Sequence, residues 1–341
     1  MKIALFSSKS YDEEFLRAAA QGSDCEFVFF ETRLNEATAP LARGCRAACV
    51  FVNDRVDEPV LTVLRELGVG LVALRCSGYN NVDLAAAERL GIVVARVPAY
   101  SPHAVAELTV ALMLSLDRKL HKAYNRVREG NFNLEGLLGA ELYRRTVGIV
   151  GTGKIGTIVA RILAGFECQL LAYDLVRNSE VESLGARYVT LDELCRQSDI
   201  ITLHCPLTPG TYRIINEHSL GLTKPGVMLI NTSRGKLVDT EAVIRGLKSG
   251  RIGAVGFDVY EEEEELFFED LSNQVIQDDV FARMLTFPNV IITGHQGYFT
   301  RPALEAISRQ TIENILAFAR GETPPGVVQA APGRRGPPIG G

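Results

Sequence analysis

Short apolar runs recur along the chain, several closing on Gly, Asp, Asn or Ser and followed by stretches whose apolar residues return at spacings of three and four. Such runs read as strands, and strands alternating with helical stretches read as βαβ units around a parallel sheet. The first runs are Lys2 to Phe6, Glu26 to Phe30, Ala48 to Val52, Leu71 to Arg75 and Ile92 to Ala95, parted by helical stretches such as Tyr11 to Ala20 and Asp83 to Leu90. They predict a compact unit of five strands. Ser101-Pro102 then offers an N-cap with proline at the first helical position. From His103 to Lys122, Val105, Leu108, Leu112, Leu116 and Leu120 repeat at helical spacing and predict one long amphipathic helix leaving that unit.

A second series follows: Thr146 to Val150, Gln169 to Tyr173, Ile200 to His204, Val227 to Asn231, Ala254 to Val259 and Asn289 to Thr293. Six strands suit a complete dinucleotide-binding fold. The helical stretch Arg301 to Arg320 comes too late in chain order for that finished sheet and is assigned back to the first unit. The expected organisation is a discontinuous first domain, 1–100 plus 298–332, around a second at 101–297, with a flexible tail at 333–341. Residues 321 to 341 hold six Gly and five Pro with almost no apolar pattern, and read as mobile rather than folded.

Composition narrows the function classes. A length of 341 residues suits about two domains, and 47% apolar with 23% charged residues is the balance of a globular protein rather than a disordered one. Asp and Glu outnumber Lys and Arg by 41 to 36, with no basic stripe, which argues against a nucleic-acid surface. No apolar run reaches the length of a membrane span or of a secretory leader, so no membrane partner and a cytoplasmic location are expected. Seven scattered cysteines without a C-x-x-C read as buried thiols, and Cys45 with Cys49 lacks the second ligand pair that zinc requires, so no metal is expected.

Gly151-Thr152-Gly153-Lys154-Ile155-Gly156 fits G-x-G-x-x-G between an apolar run and a helical pattern. The first glycine permits the tight turn, the second admits a pyrophosphate to backbone N–H groups, and the third lets the helix pack on the strand. The next strand ends at Asp174, placed to accept hydrogen bonds from an adenosine ribose, which favours NAD over NADP; Arg177 nearby is a cation that would tolerate a 2′-phosphate. Three later strand ends carry Arg234, then Asp258 with Glu263, then His295. A cation for a carboxylate, an acid–base imidazole and a carboxylate to hold that imidazole are what hydride transfer to a 2-oxo acid requires.

These segments, together with Asn231-Thr232-Ser233-Arg234-Gly235, Gly256-Phe257-Asp258-Val259-Tyr260 and Gly294-His295, resemble the D-isomer-specific 2-hydroxyacid dehydrogenases across nearly the whole chain. Arg75 to Asp83, Pro98 to Pro102 and His295 to Thr300 resemble the D-lactate dehydrogenase branch of that family. The resemblance implies an α/β protein of two doubly wound parallel-sheet domains: a flavodoxin-like substrate domain and a Rossmann NAD-binding domain, with an interdomain cleft. It implies reversible reduction of pyruvate to D-lactate by NADH, or of bulkier 2-oxo acids such as phenylpyruvate, in a homodimer or dimer-based oligomer built on the helix from His103 and the arm from Tyr124 to Tyr143.

Carried over residue by residue, the resemblance assigns Arg234 to the substrate carboxylate, His295 to proton transfer and Glu263 to orienting His295 and raising its pKa. Ser77 and Gly78 would give backbone N–H groups to the carboxylate, and Tyr100 and Tyr298 would bound the substrate pocket. Gly151, Gly153, Lys154, Ile155, Gly156, Asp174, Cys205, Pro206, Thr211, Thr232, Ser233 and Asp258 would line the cofactor, with Asp258 facing the nicotinamide. Thr211 departs from the Asn of some members, and Gly297 stands where related enzymes often have Ala.

Other readings of the same residues stand beside these. Glu261 to Glu265 is a run of acids of the kind usually solvated, and a one-residue shift of the loop would hand the role of Glu263 to Glu262 or Glu264. His103 and His121 sit on the long helix, His204 ends a strand beside Cys205-Pro206 and His218 lies in a polar turn, and His295 alone combines a strand end, a preceding Gly and the order after Arg and Glu. Arg75 either pairs with a carboxylate or solvates a loop, and nothing beside Cys76 or Cys205 marks an activated thiolate. A different class, an NAD(H)-sensing interaction module of the corepressor kind, would need a docking surface or long anchored tail.

Overall fold

The computed structural model describes residues 1–263 and 266–329, and the chain divides into two compact units. Unit 1 holds Met1–Ser101 and the chain from Phe299 onward, and unit 2 holds Pro102–Tyr298. Each junction thus lies one residue beyond the boundary read from the sequence, so Tyr298 falls in unit 2 and Ser101 in unit 1. The tail expected at 333–341, and Glu264 and Glu265 of the acidic run, lie outside the described residues.

Unit 1 opens with β1 (Lys2–Leu5), α1 (Ser10–Ala19), β2 (Glu26–Phe29), β3 (Ala47–Val50), α2 (Glu58–Glu66), β4 (Leu71–Leu74), α3 (Leu84–Leu90) and β5 (Val93–Ala95). Asp57 and Asp83 start α2 and α3 by accepting the N–H of Val60 and of Ala86. The strands form one parallel sheet in the order β2-β1-β3-β4-β5, the flavodoxin-like order that reverses direction between β1 and β3. Every residue of β3 and β4 is buried, as strands covered on both faces must be.

Unit 2 begins with α4 (Pro102–Asp117) and α5 (Leu120–Arg128). The single helix expected from His103 to Lys122 is therefore two, because Lys119 turns into the left-handed region at φ 50° and ends the first ladder. Then come β6 (Thr146–Val150), α6 (Lys154–Gly165), β7 (Gln169–Tyr173), α7 (Ser179–Ser183), β8 (Arg187–Tyr188), α8 (Leu191–Gln197), β9 (Ile200–Leu203), α9 (Glu217–Leu222), β10 (Val227–Asn231), α10 (Thr240–Ser249), β11 (Ile252–Phe257), α11 (Asp279–Leu285) and β12 (Val290–Ile292). Their parallel sheet has seven strands in the order β12-β11-β10-β9-β6-β7-β8. The strand missing from the six expected is β8, whose two residues are too few to make a periodic signal. The sheet divides the core: Val150, Ile201, Leu203 and Leu229 pack on one face, and Val147, Ile149, Met228 and Ile230 on the other with Val110 and Met113 of α4.

The chain closes with α12 (Arg301–Ala319), whose Ile312 and Ile315 pack in unit 1 with Ile3, Leu5 and Leu71. The described part of the Gly- and Pro-rich segment, expected to be mobile, is instead tied to β5. Arg96 N donates to Gly326 O at 2.9 Å, Val328 N donates to Val94 O at 2.8 Å, and Val327 bridges Ala95 in antiparallel sense. Buried Asn314 locks this junction, donating to Arg96 O at 3.0 Å and accepting Gly326 N–H at 2.8 Å. The bridge needs only backbone groups, so composition does not announce it. Among the described residues no helix is long and apolar enough to cross a membrane.

Candidate active site

Three strands of unit 2 end in polar turns that are tied together. Asn231, the last residue of β10, donates from Nδ2 to Arg234 O at 2.8 Å and accepts Ser233 N–H at 3.0 Å. Asp258, directly after β11, is 1% exposed. Its carboxylate accepts the Thr293 hydroxyl and the N–H groups of Gln296 and Gly297, both at 2.8 Å, while its carbonyl accepts His295 N–H at 2.7 Å. Those bonds hold His295 at φ 54°, a left-handed conformation that costs a residue with a side chain about 1–3 kcal/mol. Burial pushes the Asp258 carboxyl pKa up, against the Thr293 hydrogen bond and the His295 charge. Both carboxylate oxygens of Asp258, the residue expected to face the cofactor, accept from the turn that carries His295.

His295 Nδ1 lies 2.8 Å from Glu263 Oε1. Glu263 is anchored in turn by its second oxygen, which accepts Tyr260 N–H at 2.8 Å, and the Tyr260 hydroxyl donates to Asp278 at 2.7 Å. Burial disfavours the charged imidazole, but the charge and hydrogen bond of Glu263 outweigh it, aided by Asp258 and opposed by Arg234. The net effect raises the His295 pKa above the ordinary histidine value. Arg234 is half-buried; its guanidinium donates to Ser233 O at 2.7 Å and has no carboxylate partner among the described residues. The geometry thus brings Arg234, Glu263, Asp258 and His295 together at the carboxyl ends of β10, β11 and β12, where open α/β sheets present their ligand groups.

On the other side of the sheet's reversal, between β6 and β9, stands the glycine turn. Gly151 has φ 96°, and a Cβ there would sit 2.5 Å from Cys205 N; a Cβ on Gly156 would sit 2.0 Å from Gly151 O. Neither position tolerates a side chain. A Cβ on Gly153 would meet nothing within 4 Å, and no side chain caps α6, so the N–H groups of Lys154, Ile155 and Gly156 are presented to an approaching anion. Asp174 follows β7, with Oδ2 accepting Thr152 N–H at 2.6 Å and the Thr152 hydroxyl at 3.1 Å. These features fit a dinucleotide: an open anion cradle and, one strand away, an acid for a ribose.

The remaining cofactor candidates are held by local bonds. The Ser233 hydroxyl donates to Cys205 O at 2.8 Å, joining the turns after β9 and β10, and buried Thr232 shares a hydrogen bond with Thr109 at 2.8 Å. Pro206 is exposed; its carbonyl accepts the Thr211 hydroxyl at 2.6 Å, so Thr211 closes its own loop. Burial pushes the Cys205 thiol up to about 11, which keeps it from being a thiolate nucleophile. Half-buried His204 is pushed down to about 3 by desolvation of its ring and stays neutral.

In unit 1, Ser77 and Gly78 follow β4, half-buried, and among the described residues their backbone N–H groups have no hydrogen-bond partner. Ser77 O accepts Arg96 Nη1–H at 2.8 Å, and Gly78 O accepts the Cys76 thiol at 3.2 Å. Tyr100 is half-buried in unit 1, and Tyr298 is buried in unit 2. Arg75, left open by the sequence, is 2% exposed and donates to Asp12 at 3.1 Å and to Ser7 O at 2.6 Å. The sequence reading missed the supports: Thr152 in the unspecified position of the glycine motif, Tyr188 in the shortest strand, and Thr293, Tyr260 and Asp278 around the His295 turn. Only Thr293, at the end of an apolar run two residues before His295, carried a local signal.

The site and the seven-stranded sheet define a nicotinamide-linked oxidoreductase, and the chain belongs to the D-isomer-specific 2-hydroxyacid dehydrogenases. The model for the NAD-binding domain of that family matches residues 110–297. The chain is similar to the D-lactate dehydrogenase of Escherichia coli, at 50% identity over 325 residues that cover 95% of this chain and 99% of the relative. Among solved structures it is similar to the pyruvate reductase of Chlamydomonas reinhardtii, with TM-score 0.90, 45% identity and coverage of 95% and 98%. A third likeness is to the D-lactate dehydrogenase of Aquifex aeolicus, solved with NAD and lactic acid, with TM-score 0.86, 34% identity and coverage of 96% and 99%.

Proposed function

We propose that this chain is an NAD-dependent D-lactate dehydrogenase that interconverts pyruvate and D-lactate. The observation that carries the reading is the Glu263–His295 pair at 2.8 Å beside an Arg234 that has no carboxylate partner among the described residues. Arg234 takes the substrate carboxylate in its planar fork and polarises the carbonyl. His295, protonated with the help of Glu263, donates the proton to the developing alkoxide and takes it back in the reverse direction. The N–H groups of Ser77 and Gly78, without a hydrogen-bond partner among the described residues, are the proposed further donors to the carboxylate, and Tyr100 and Tyr298 the proposed aromatic lining. Bound NADH supplies the hydride to the carbonyl carbon.

The glycine turn, with Lys154 and Ile155, receives the pyrophosphate; Asp174 accepts from the adenosine ribose; and Cys205, Pro206, Thr211, Thr232 and Ser233 flank the rest of the cofactor. Unit 1 is the proposed substrate domain and unit 2 the NAD-binding domain. A homodimer built on α4, α5 and the arm up to Tyr143 is supported by exposed apolar residues there, Tyr124, Phe132, Leu134 and Leu138. Seven unpaired cysteines suit a reducing compartment and support a cytoplasmic location.

Purified protein is assayed for NADH oxidation with pyruvate and with phenylpyruvate. The expected result is rapid pyruvate-dependent turnover giving D-lactate, lowered about 10²–10⁴-fold in His295→Gln and about 10²–10³-fold in Arg234→Gln. A much larger kcat/KM for phenylpyruvate would reassign the substrate to bulkier 2-oxo acids. NADH binding without turnover on any 2-oxo acid would replace the enzyme by a sensing module.

A further inference from the structure

We infer that Tyr188, acting through Thr152, fixes the Asp174 carboxylate and thereby sets how strongly this chain prefers NADH to NADPH. The inference rests on the proposal that Asp174 receives the adenosine ribose. Four groups form a chain of hydrogen bonds whose directions all agree. Asn178 N–H donates to the Tyr188 hydroxyl at 2.8 Å, that hydroxyl donates to Thr152 Oγ1 at 2.8 Å, and the Thr152 hydroxyl donates to Asp174 Oδ2 at 3.1 Å. The chain ends on a carboxylate that can only accept, so each hydroxyl has one productive orientation and the bonds reinforce one another.

The backbone is bound into the same network. Thr152 N–H donates to Asp174 Oδ2 at 2.6 Å, and Asn178 Nδ2 donates to Thr152 O at 2.9 Å and to Thr157 Oγ1 at 3.0 Å. Asn178 also starts α7 by accepting Glu180 N–H at 3.0 Å. Asp174 Oδ2 is thus committed inward, while Oδ1 has one long bond, from Val176 N at 3.3 Å, and keeps room to accept ribose hydroxyls. A carboxylate held in that place accepts from a free 2′-hydroxyl and repels a 2′-phosphate. The cation that would compensate a phosphate, Arg177, rests over the Tyr188 ring at 5.7 Å and faces Glu182 at 3.7 Å. Tyr188 and Thr152 touch Asp174 and its loop rather than the reacting atoms, so they are positioning residues.

Dissociation constants for NADH and NADPH are measured by fluorescence titration of the full-length protein, with kcat and KM for the cofactor and the melting temperature alongside. Tyr188→Phe keeps the ring under Arg177 and removes only the hydroxyl. Loss of one hydrogen bond in the chain corresponds to about a threefold to tenfold weaker NADH affinity, with NADPH changed less and kcat at saturating NADH retained. Thr152→Val should lower the NADH preference similarly, and Thr152→Ser, which restores the hydroxyl, should recover it. Equal weakening toward both cofactors, or no change in either, in both Tyr188→Phe and Thr152→Val would overturn the inference, whatever the melting temperature. Asp174→Asn separates the two layers. If it alone erases the preference, the ribose role of Asp174 stands and the relay fails; if it leaves the preference intact, the ribose role itself fails and the relay with it.

Discussion

His295 shows how far neighbours can move one side chain. Its backbone is strained, its ring is sheltered from solvent, and the two effects are opposed by an oriented carboxylate on Nδ1 and by the Asp258 bonds that hold the turn. Glu263 raises the pKa of His295, so the ring remains a proton donor to higher pH than an unassisted imidazole would. Glu263→Gln removes the charge and should move the alkaline limb of the pyruvate-reduction profile to lower pH, because the ring then loses its proton sooner. The check is kcat/KM against pH for both proteins; an unmoved limb would show that Glu263 does not set the protonation state. Residue identities at this site were legible in the sequence, since each follows an apolar run in the expected order. The direction in which Asp258 points was not, because its rotamer is chosen by three donors of a distant turn, Thr293, Gln296 and Gly297.

At the scale of elements, most of what positions the site came from short, mostly apolar strands closed by turn residues, which announce themselves. What escaped was short or depended on distant partners: the two-residue β8, the break at Lys119, and the bridge by which residues 326–328 join the end of β5. Asn314 is the pin of that bridged segment, bonded at both ends of its amide while completely buried. Asn314→Ala leaves Arg96 O and Gly326 N without these partners and should cost about 1–3 kcal/mol of stability. Urea unfolding would read the loss, and limited proteolysis should cut the segment after Gly321 faster than in the parent protein. Unchanged unfolding and cleavage would mean that the backbone pairing alone holds the segment.

For the whole molecule, the consequential feature is the apolar surface on the arm: Leu138 is 88% exposed, Leu134 78% and Phe132 73%. A monomer rarely leaves such residues grouped in water, and the proposed homodimer would cover them. Phe132→Asp combined with Leu138→Asp should halve the mass measured by light scattering on a sizing column while preserving the circular dichroism of the folded unit. A parent protein already at the monomer mass would remove the dimer from the proposal.

The periodicity of apolar residues, the spacing of the glycines and the order Arg234, Asp258, Glu263, His295 were enough to define two α/β units and a family, because strand burial, tight turns and strand-end chemistry are properties of contiguous segments. Only the tertiary structure decided that Arg75 is buried on Asp12, that Asp258 serves the His295 turn, and that Tyr188 reaches Asp174 through Thr152. Each of these joins residues from different strands or loops, and a hydrogen bond of about 3 Å between separate segments exists only once the sheet has set their register and the core has fixed their rotamers.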